Sequence, residues 1–138
     1  MKKFYNLEEM KEYYNAKTDT FYIEDDIEIL FDLHCTWNII AYNIVGSDIT
    51  AWNIDCHNLS AYTVLAKGRI NAIYINVMTL KAYEILAFNI KYWDICVAYK
   101  DIECYSIRGY RSNSVHLSLD NKDAGIKILK VSFNERKR

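Results

Sequence analysis

The sequence contains no proline and only four glycines in 138 residues, so the two residues that most often punctuate loops are nearly missing. A chain so poor in turn formers is not expected to be loop-rich. It also lacks an excess of either charge: 17 Lys and Arg stand against 18 Asp and Glu, for a net charge of −1. That balance removes the simplest case for non-specific nucleic-acid binding. No stretch approaches the roughly 18 apolar residues of a membrane span, so no membrane partner is expected. The opening Met-Lys-Lys-Phe-Tyr resembles the start of a signal peptide, but Glu8, Glu9 and Glu12 follow where an apolar segment would be needed. Cys35, Cys56, Cys96 and Cys104 form no C-x-x-C pair and have no histidine at metal-ligand spacing. No metal and no cofactor is therefore expected, and a reduced, cytoplasmic protein is the economical reading. What the chain does have is apolar and aromatic mass, 51% hydrophobic with 12 tyrosines, enough to build the core of one domain rather than remain disordered.

That mass is periodic. From residue 38 the text runs NIIAY NIVGS DITAW NIDCH NLSAY TVLAK, with Ile39, Ile44, Ile49, Ile54, Leu59 and Val64 at a spacing of five. Two residues after each stands a small one: Ala41, Gly46, Ala51, Cys56, Ala61 and Ala66. An extra residue near Gly68 resets the phase, and the series resumes with Ile70, Ile75, Leu80, Ile85, Ile90 and Ile95. Tyr92 and Val97 are bulky exceptions in the small slot. Upstream, Ile27 with Ile29 and Leu33 with Cys35 look like two earlier units spaced by six. A helix needs apolar positions near 3.6 and a strand near 2, so sustained fives fit neither over long stretches. Locally the pattern alternates, large in, polar out, small in, and then two residues must turn. Mini-strands separated by corners wind into a solenoid whose coils stack through backbone hydrogen bonds about 4.8 Å apart. Proline would remove a ladder donor in nearly every coil, which explains its absence.

This register resembles that of the pentapeptide-repeat proteins over residues 26–110. The resemblance implies an all-β solenoid, a right-handed quadrilateral β-helix with about twenty residues per coil, hence about four coils here. The usual family unit places a small residue first, then Asp or Asn, then a large apolar one. This chain instead puts the large inward residue first (Ile49) and the small one second (Ala51), with Asn or Asp just before the large one. A left-handed hexapeptide helix is the competing architecture, and sixes occur only near residues 26–38 and 64–70.

The ends differ from the middle. Residues 6–16 read as a short helix, with Asn6 as N-cap, Glu9 three residues on, and Leu7, Met10 and Tyr14 on one face. It is expected to cover the unpaired edge of the first coil. The chain thus divides into an N-terminal cap (1–25), the β-helix (26–110) and a C-terminal cap with a basic tail (111–138). Within the last part, residues 110–124 read as a loop with a short strand around Val115 to Leu119. Residues 125–133 alternate as a strand that caps or extends the last coil, and NERKR closes the chain.

With twenty residues per coil, positions twenty or twenty-one apart stack. Tyr42, Tyr62, Tyr83 and Tyr105 then share one column, flanked by Val45, Leu65 and Leu86. Trp52, Ile73 and Trp93 form a second. Corner aromatics that stiffen the coil are one reading, at about 0.2–1 kcal/mol per stacked pair. The other is a docking patch, since Tyr and Trp are enriched at interfaces and large exposed apolar patches mark them. Charge is unevenly spread. Acidic residues crowd 7–32, including Glu24, Asp25, Asp26 and Glu28, whereas the stretch from Asn121 is basic. Those four acids are expected to supply a secondary contact.

Catalysis has little support. Cys56 and His57 are adjacent on a mini-strand and point to opposite sides, while Cys56 holds the small inward slot. Of the four cysteines only Cys96 is expected to point outward. His34 and His116 have no nucleophile or carboxylate at triad spacing, and no glycine-rich phosphate loop is present. The chain is therefore expected to be non-enzymatic, a rigid solenoid that binds a protein. The family resemblance implies an inhibitor of a DNA- or RNA-acting enzyme, such as a gyrase-like topoisomerase or a phage-defence nuclease, through DNA mimicry. Duplex DNA carries about one charge per 1.7 Å, and Lys67, Arg69, Lys81, Lys91 and Arg108 interrupt any acidic line along the coils. Docking with partial mimicry is thus favoured over whole-rod mimicry. The alternative is a structural or self-assembling, homodimeric module.

Overall fold

A computed structural model describes residues 1–119 and the backbone of 126–128. The chain opens with β1 (Lys2–Phe4), one helical turn α1 (Leu7–Met10), a 3-10 turn over Lys11–Tyr13, and an antiparallel hairpin of β2 (Tyr14–Asn15) and β3 (Thr20–Tyr22). Then follow β4 (Ile27–Ile29), β5 (Leu33–His34), β6 (Asn38–Ile40), β7 (Asn43–Val45), β8 (Asp48–Ala51) and β9 (Ile54–Asp55). From Asn58 to Ala98 the backbone stays extended around successive corners (β10), and β11 (Ile102–Cys104), β12 (Ser106–Gly109), β13 (Val115–Ser118) and β14 (Ile126–Ile128) complete it. Apart from the hairpin, every pairing is parallel. The result is a β-solenoid of about six turns with one short helix near its N-terminus.

The ladder register revises the expected coil. Asn58 lies on Asn43 and Val64 on Ile49, fifteen residues on; Ile70 lies on Ile54, sixteen on; Ile102 lies on Ile85, seventeen on. A turn therefore holds fifteen to seventeen residues rather than about twenty, and the expectation of about four coils gives way to about six turns. Three strands make one turn. The first face stacks β1, β4, β7, residues 58–60 and, higher up, β12 on residues 89–92. The second stacks β5, β8 and residues 63–66, and then β13 on residues 95–98. The third stacks β3, β6, β9, residues 70–71 and, above residues 85–86, β11 and β14.

The inward slots are filled as the fivefold pattern requires. Ile27, Ile44, Leu59, Ile75 and Ile90 line the first face, Leu33, Ile49, Val64 and Leu80 the second, and Ile39, Ile54, Ile70, Ile85 and Ile102 the third, all fully buried. Each such side chain contributes about 1.5–3 kcal/mol through apolar burial. Residues beyond fifteen in a turn are absorbed at corners, where they do not shift the core. At Gly68 the bulge is closed by two bonds: Gly68 N–H donates to the Trp52 carbonyl at 2.7 Å, and Arg69 N–H to Asn53 Oδ1 at 2.7 Å. A second reset after Tyr92 was not legible in the repeat. Ile95 is exposed, and Cys96 takes the large inward slot with no exposure, so the expectation that Cys96 points outward is corrected.

Corner positions just before the large residue carry side-chain ladders. Asn43 donates to Asp26 Oδ1 at 2.9 Å, Asn58 to Asn43 Oδ1 at 2.8 Å, and Ser106 to Asn89 Oδ1 at 2.8 Å. This is why Asn and Asp recur there: an amide can donate to the turn below and accept from the turn above, as Asn43 does, and a carboxylate such as Asp26 can accept.

The N-terminal helix is shorter than the expected 6–16. Asn6 Oδ1 accepts from Glu9 N–H at 3.0 Å, and Glu9 Oε1 accepts from Tyr5 N–H at 2.6 Å, a capping arrangement as anticipated. The helix ends at Met10 because Tyr14 leaves it to pack on Trp37 (4.5 Å between rings) and Phe21 (5.7 Å). Met10 is completely buried and plugs the core's open end. At the other end β14 pairs with β11, so part of the expected 125–133 strand does extend the solenoid. The NERKR tail lies outside the described residues. Among the described residues no helix is long and apolar enough to cross a membrane.

Tyr92 shows how tightly the slots are matched. It fills a slot held in most other units by Ala, Gly, Cys or Val, it is buried, and its ladder neighbour is Gly109. A methyl group at Gly109 would sit 2.7 Å from the Tyr92 hydroxyl and against the Ser114 side chain. Gly109→Ala is expected to destabilise the protein by about 1–3 kcal/mol through overpacking. Thermal unfolding checks this, and an unchanged melting temperature would show slack in the slot.

Candidate interaction surface

Side chains leave the solenoid at its three corners, so the shorter turn redistributes every outward column. At the corner between the third and first faces, Tyr42, His57, Ile73, Phe88 and Tyr105 succeed one another: His57 N–H donates to the Tyr42 carbonyl, Ile73 N–H to that of His57, and Tyr105 N–H to that of Phe88. The rings follow the backbone. Tyr42 and His57 stack at 5.8 Å and 13°, and Phe88 meets Tyr74 at 6.1 Å and Tyr105 at 4.3 Å edge-on. At the corner between the first and second faces the succession is Ser47, Tyr62, Met78, Trp93 and Tyr110. Tyr62 N–H donates to the Ser47 carbonyl, and Trp93 and Tyr110 stack at 5.0 Å. At the third corner Trp37, Trp52, Tyr83 and Tyr99 recur, the last two stacked at 5.8 Å.

The expected tyrosine column is therefore not one column. Tyr42 and Tyr105 share the first corner, Tyr62 stands on the second and Tyr83 on the third. Val45, Leu65 and Leu86 fall in the middle of the first, second and third faces, one on each. Trp52, Ile73 and Trp93 likewise divide among the three corners. The cause is the difference between fifteen-to-seventeen and twenty residues per turn: a stride of twenty advances one turn plus one side.

Two open grooves regroup some of these residues with others that the sequence did not single out. One, of 360 Å³, runs beside the first corner and is lined by Ala72, Ile73, Tyr74, Leu86, Phe88 and Tyr105. Tyr42 at 47%, Ile73 at 43% and Tyr74 at 50% exposure make this edge apolar and accessible. The other, of 470 Å³, lies on the first face and is lined by Val45, Gly46, Ser60, Tyr62, Met78 and Trp93 among others. His57 and Phe88 were missed, and Ile73 was assigned to a different column, because only a stride of fifteen to seventeen aligns them with Tyr42; Tyr74, one position further on, was not singled out.

The four acidic residues expected as a secondary contact do lie together at the N-terminal end, and the structure gives several of them partners. Asp25 is 4.0 Å from the Lys2 ammonium, and Asp26 accepts from Asn43. Glu28 lies between Lys3 and Val45 in the ladder of the first face, and Glu24 is exposed. Elsewhere Arg69 pairs with Glu84 at 2.8 Å and Arg111 with Asp94 at 2.6 Å. These exposed pairs are worth at most about 1 kcal/mol each.

The reactive residue types are accounted for by packing. Burial pushes the Cys56 and Cys96 thiols up to about 12 and that of Cys104 to about 11, and it raises Cys35 as well. A thiol held protonated is a poor nucleophile. His116 Nδ1 lies 2.6 Å from the buried Tyr92 hydroxyl, and desolvation lowers its pKa. Among the described residues no three of His, Cys, Asp and Glu converge as metal ligands would.

Comparison with family models, with curated proteins and with solved structures finds no match to this chain.

The thiols give a direct check on the core. In the native protein at mildly alkaline pH, Cys56, Cys96 and Cys104 are expected to resist alkylation by iodoacetamide, while half-exposed Cys35 reacts slowly. All four should react once the chain is unfolded. Mass spectrometry of the modified peptides reads the outcome, and rapid native labelling of Cys96 would contradict its inward placement.

Proposed function

We propose that this chain is a non-enzymatic, protein-binding solenoid of the pentapeptide-repeat type, with its large and small inward positions exchanged. In this reading it acts by docking the edge between its third and first faces onto a protein. The observation that carries the reading is the succession of Tyr42, His57 and Ile73, and of Phe88 and Tyr105, along one corner, with Ile73, Phe88 and Tyr105 lining an apolar groove. Aromatic side chains offer large contact area with few rotatable bonds. A rigid solenoid presents them without an ordering cost on binding. The right-handed winding is part of this proposal, taken from the family resemblance.

The class of partner in this proposal is a nucleic-acid-handling enzyme, and the mode is docking with inhibition. Charge favours docking over mimicry along the whole rod. Acids cluster near Glu24, Asp25, Asp26 and Glu28, whereas Lys91 and Arg108 follow on the same first face. A duplex surrogate needs a continuous negative line. The segregation of charge on that face also supports the second reading, self-association.

A double substitution separates docking from mere stiffening of the coil. Ile73→Ser with Tyr74→Ser removes apolar area at two exposed positions, so the fold is expected to keep its unfolding temperature within a few degrees. Proteins captured by the immobilised wild type are identified, and the affinity of each is then titrated. The double variant should bind at least about tenfold more weakly, as loss of an aromatic anchor costs more than about 1.4 kcal/mol. Gyrase supercoiling and nuclease cleavage assays test the enzyme class: no inhibition by the intact protein would remove that part of the reading. Equal affinity of the folded variant would place docking elsewhere.

A further inference from the structure

Among the described residues, one outward residue per turn stands in the middle of the first face: Lys3, Glu28, Val45, Ser60, Asn76, Lys91 and Arg108. The ladder pairs Glu28 with Val45, Val45 with Ser60, and Lys91 with Arg108. Asn76 lines the same groove as Val45 and Ser60, and the fivefold unit carries the column on to Lys91. Lys91 and Arg108 thus project side by side from adjacent parallel strands, about 4.8 Å apart at the backbone. Like charges so placed repel, and among the described residues neither makes an ion pair with a carboxylate. Arg108 is held in place: its guanidinium lies 4.9 Å from the Tyr110 ring, which itself stacks on Trp93. Those rings already have partners, so the surface suits a carboxylate better than a stacked nucleobase. The matching acids stand at the other end of the same face.

We propose that the first face is the interface of an antiparallel homodimer, in which Glu28 of each copy meets Arg108 of the other. A two-fold axis crossing the face between Ser60 and Asn76 sets Glu28 against Arg108, Val45 against Lys91, and Ser60 against Asn76, each pair occurring twice. On the neighbouring corner the same axis sets Tyr62, 63% exposed, against Met78, a favourable sulfur–aromatic pairing. Gly46 and Ala61 floor the groove between these columns, so small residues let the two surfaces approach.

Charge selects this arrangement over its neighbours. Shifting the axis to Ser60 brings Lys3, which precedes Glu28 in the ladder, against Arg108. A parallel pairing sets Lys91 and Arg108 against their own copies. In the proposed register Lys3 reaches past Arg108, and among the described residues no like charges meet along the column. This inference rests on a different observation from the docking edge: the charges stand in the middle column of the first face, whereas the groove beside Ile73 and Leu86 lies at the corner with the third face.

The test is light scattering and sedimentation of the full chain across a concentration series, at low and at high salt. The wild type is expected to dimerise at low salt and to dissociate as salt rises. Arg108→Glu and Glu28→Arg should each weaken the dimer by about tenfold or more, and the variant carrying both should recover to within about threefold of wild type. Unfolding temperatures confirm that each variant is folded. Where a reversal is not tolerated, Arg108→Gln and Glu28→Gln are expected to weaken association in the same direction. A wild type that stays monomeric at every concentration overturns the proposal. So does a dimer that ignores both single reversals, or one that the double reversal fails to restore.

Discussion

Parallel backbone ladders hold successive turns about 4.8 Å apart, and this spacing leaves each inward slot room for one side chain of fixed size. The rest of the molecule follows from that limit. In the central turns a large residue at one inward position is followed by a smaller one two residues on, because both project into the same narrow interior; Ile27 with Ile29 near the N-terminal end is an exception. Where the small slot is overfilled by Tyr92, its ladder neighbour is Gly109, so volume lost in one turn is recovered in the next. Extra residues enter only at corners such as Gly68, where a bulge leaves the inward series undisturbed. Proline has no place in a chain whose amides nearly all bond to the turn below.

The same constraint explains what could be read from the sequence. Inward positions obey the packing limit at every unit, so the fivefold pattern identified Ile39 through Ile90 as core and predicted a solenoid. Asn6 with Glu9 signalled the helix start, though not its early end, which depends on Tyr14 meeting Trp37 far along the chain. The number of sides was not legible. A five-residue unit specifies a strand and a corner but not how sharply the corner bends, and three or four sides share the same local text. The distinguishing signal lies in longer correlations: Asn43 under Asn58, Tyr92 under Gly109. The tyrosines at 42, 62, 83 and 105 mimic a stride of twenty, and that coincidence scattered the expected patch over three corners. Cys96 was misread because an insertion after Tyr92 falls where the small slot is already irregular.

Outward positions are under no such limit, and there the ladder acts as an amplifier. A residue type repeated every fifteen to seventeen positions becomes a continuous stripe, whatever its chemistry. The stripe of Asp26, Asn43 and Asn58, a carboxylate under two amides, pairs donors with acceptors from turn to turn and serves stability. The aromatic stripe starting at Tyr42 offers only partial mutual contact, edge-on or stacked, and leaves Tyr42 and Tyr74 about half exposed. Tyr74 marks the boundary between the two behaviours. It stands in the amide column, interrupts it, and turns its ring edge toward Phe88 instead. A position that could have extended a stabilising ladder instead widens an apolar edge.

Function on such a scaffold is therefore a matter of which stripes face the same way. A turn of three sides gives three corners and three faces, and a two-fold axis across the first face turns the rod end for end without exchanging its edges. The edge carrying Tyr42 and Tyr105 in one copy then lies on the same side as that edge in the other. In the proposed dimer, two such edges presented together would raise the effective concentration for a partner that is itself symmetric. The charge pattern of the first face and the aromatic pattern of its border are separate observations. Antiparallel pairing is the arrangement in which the first organises the second.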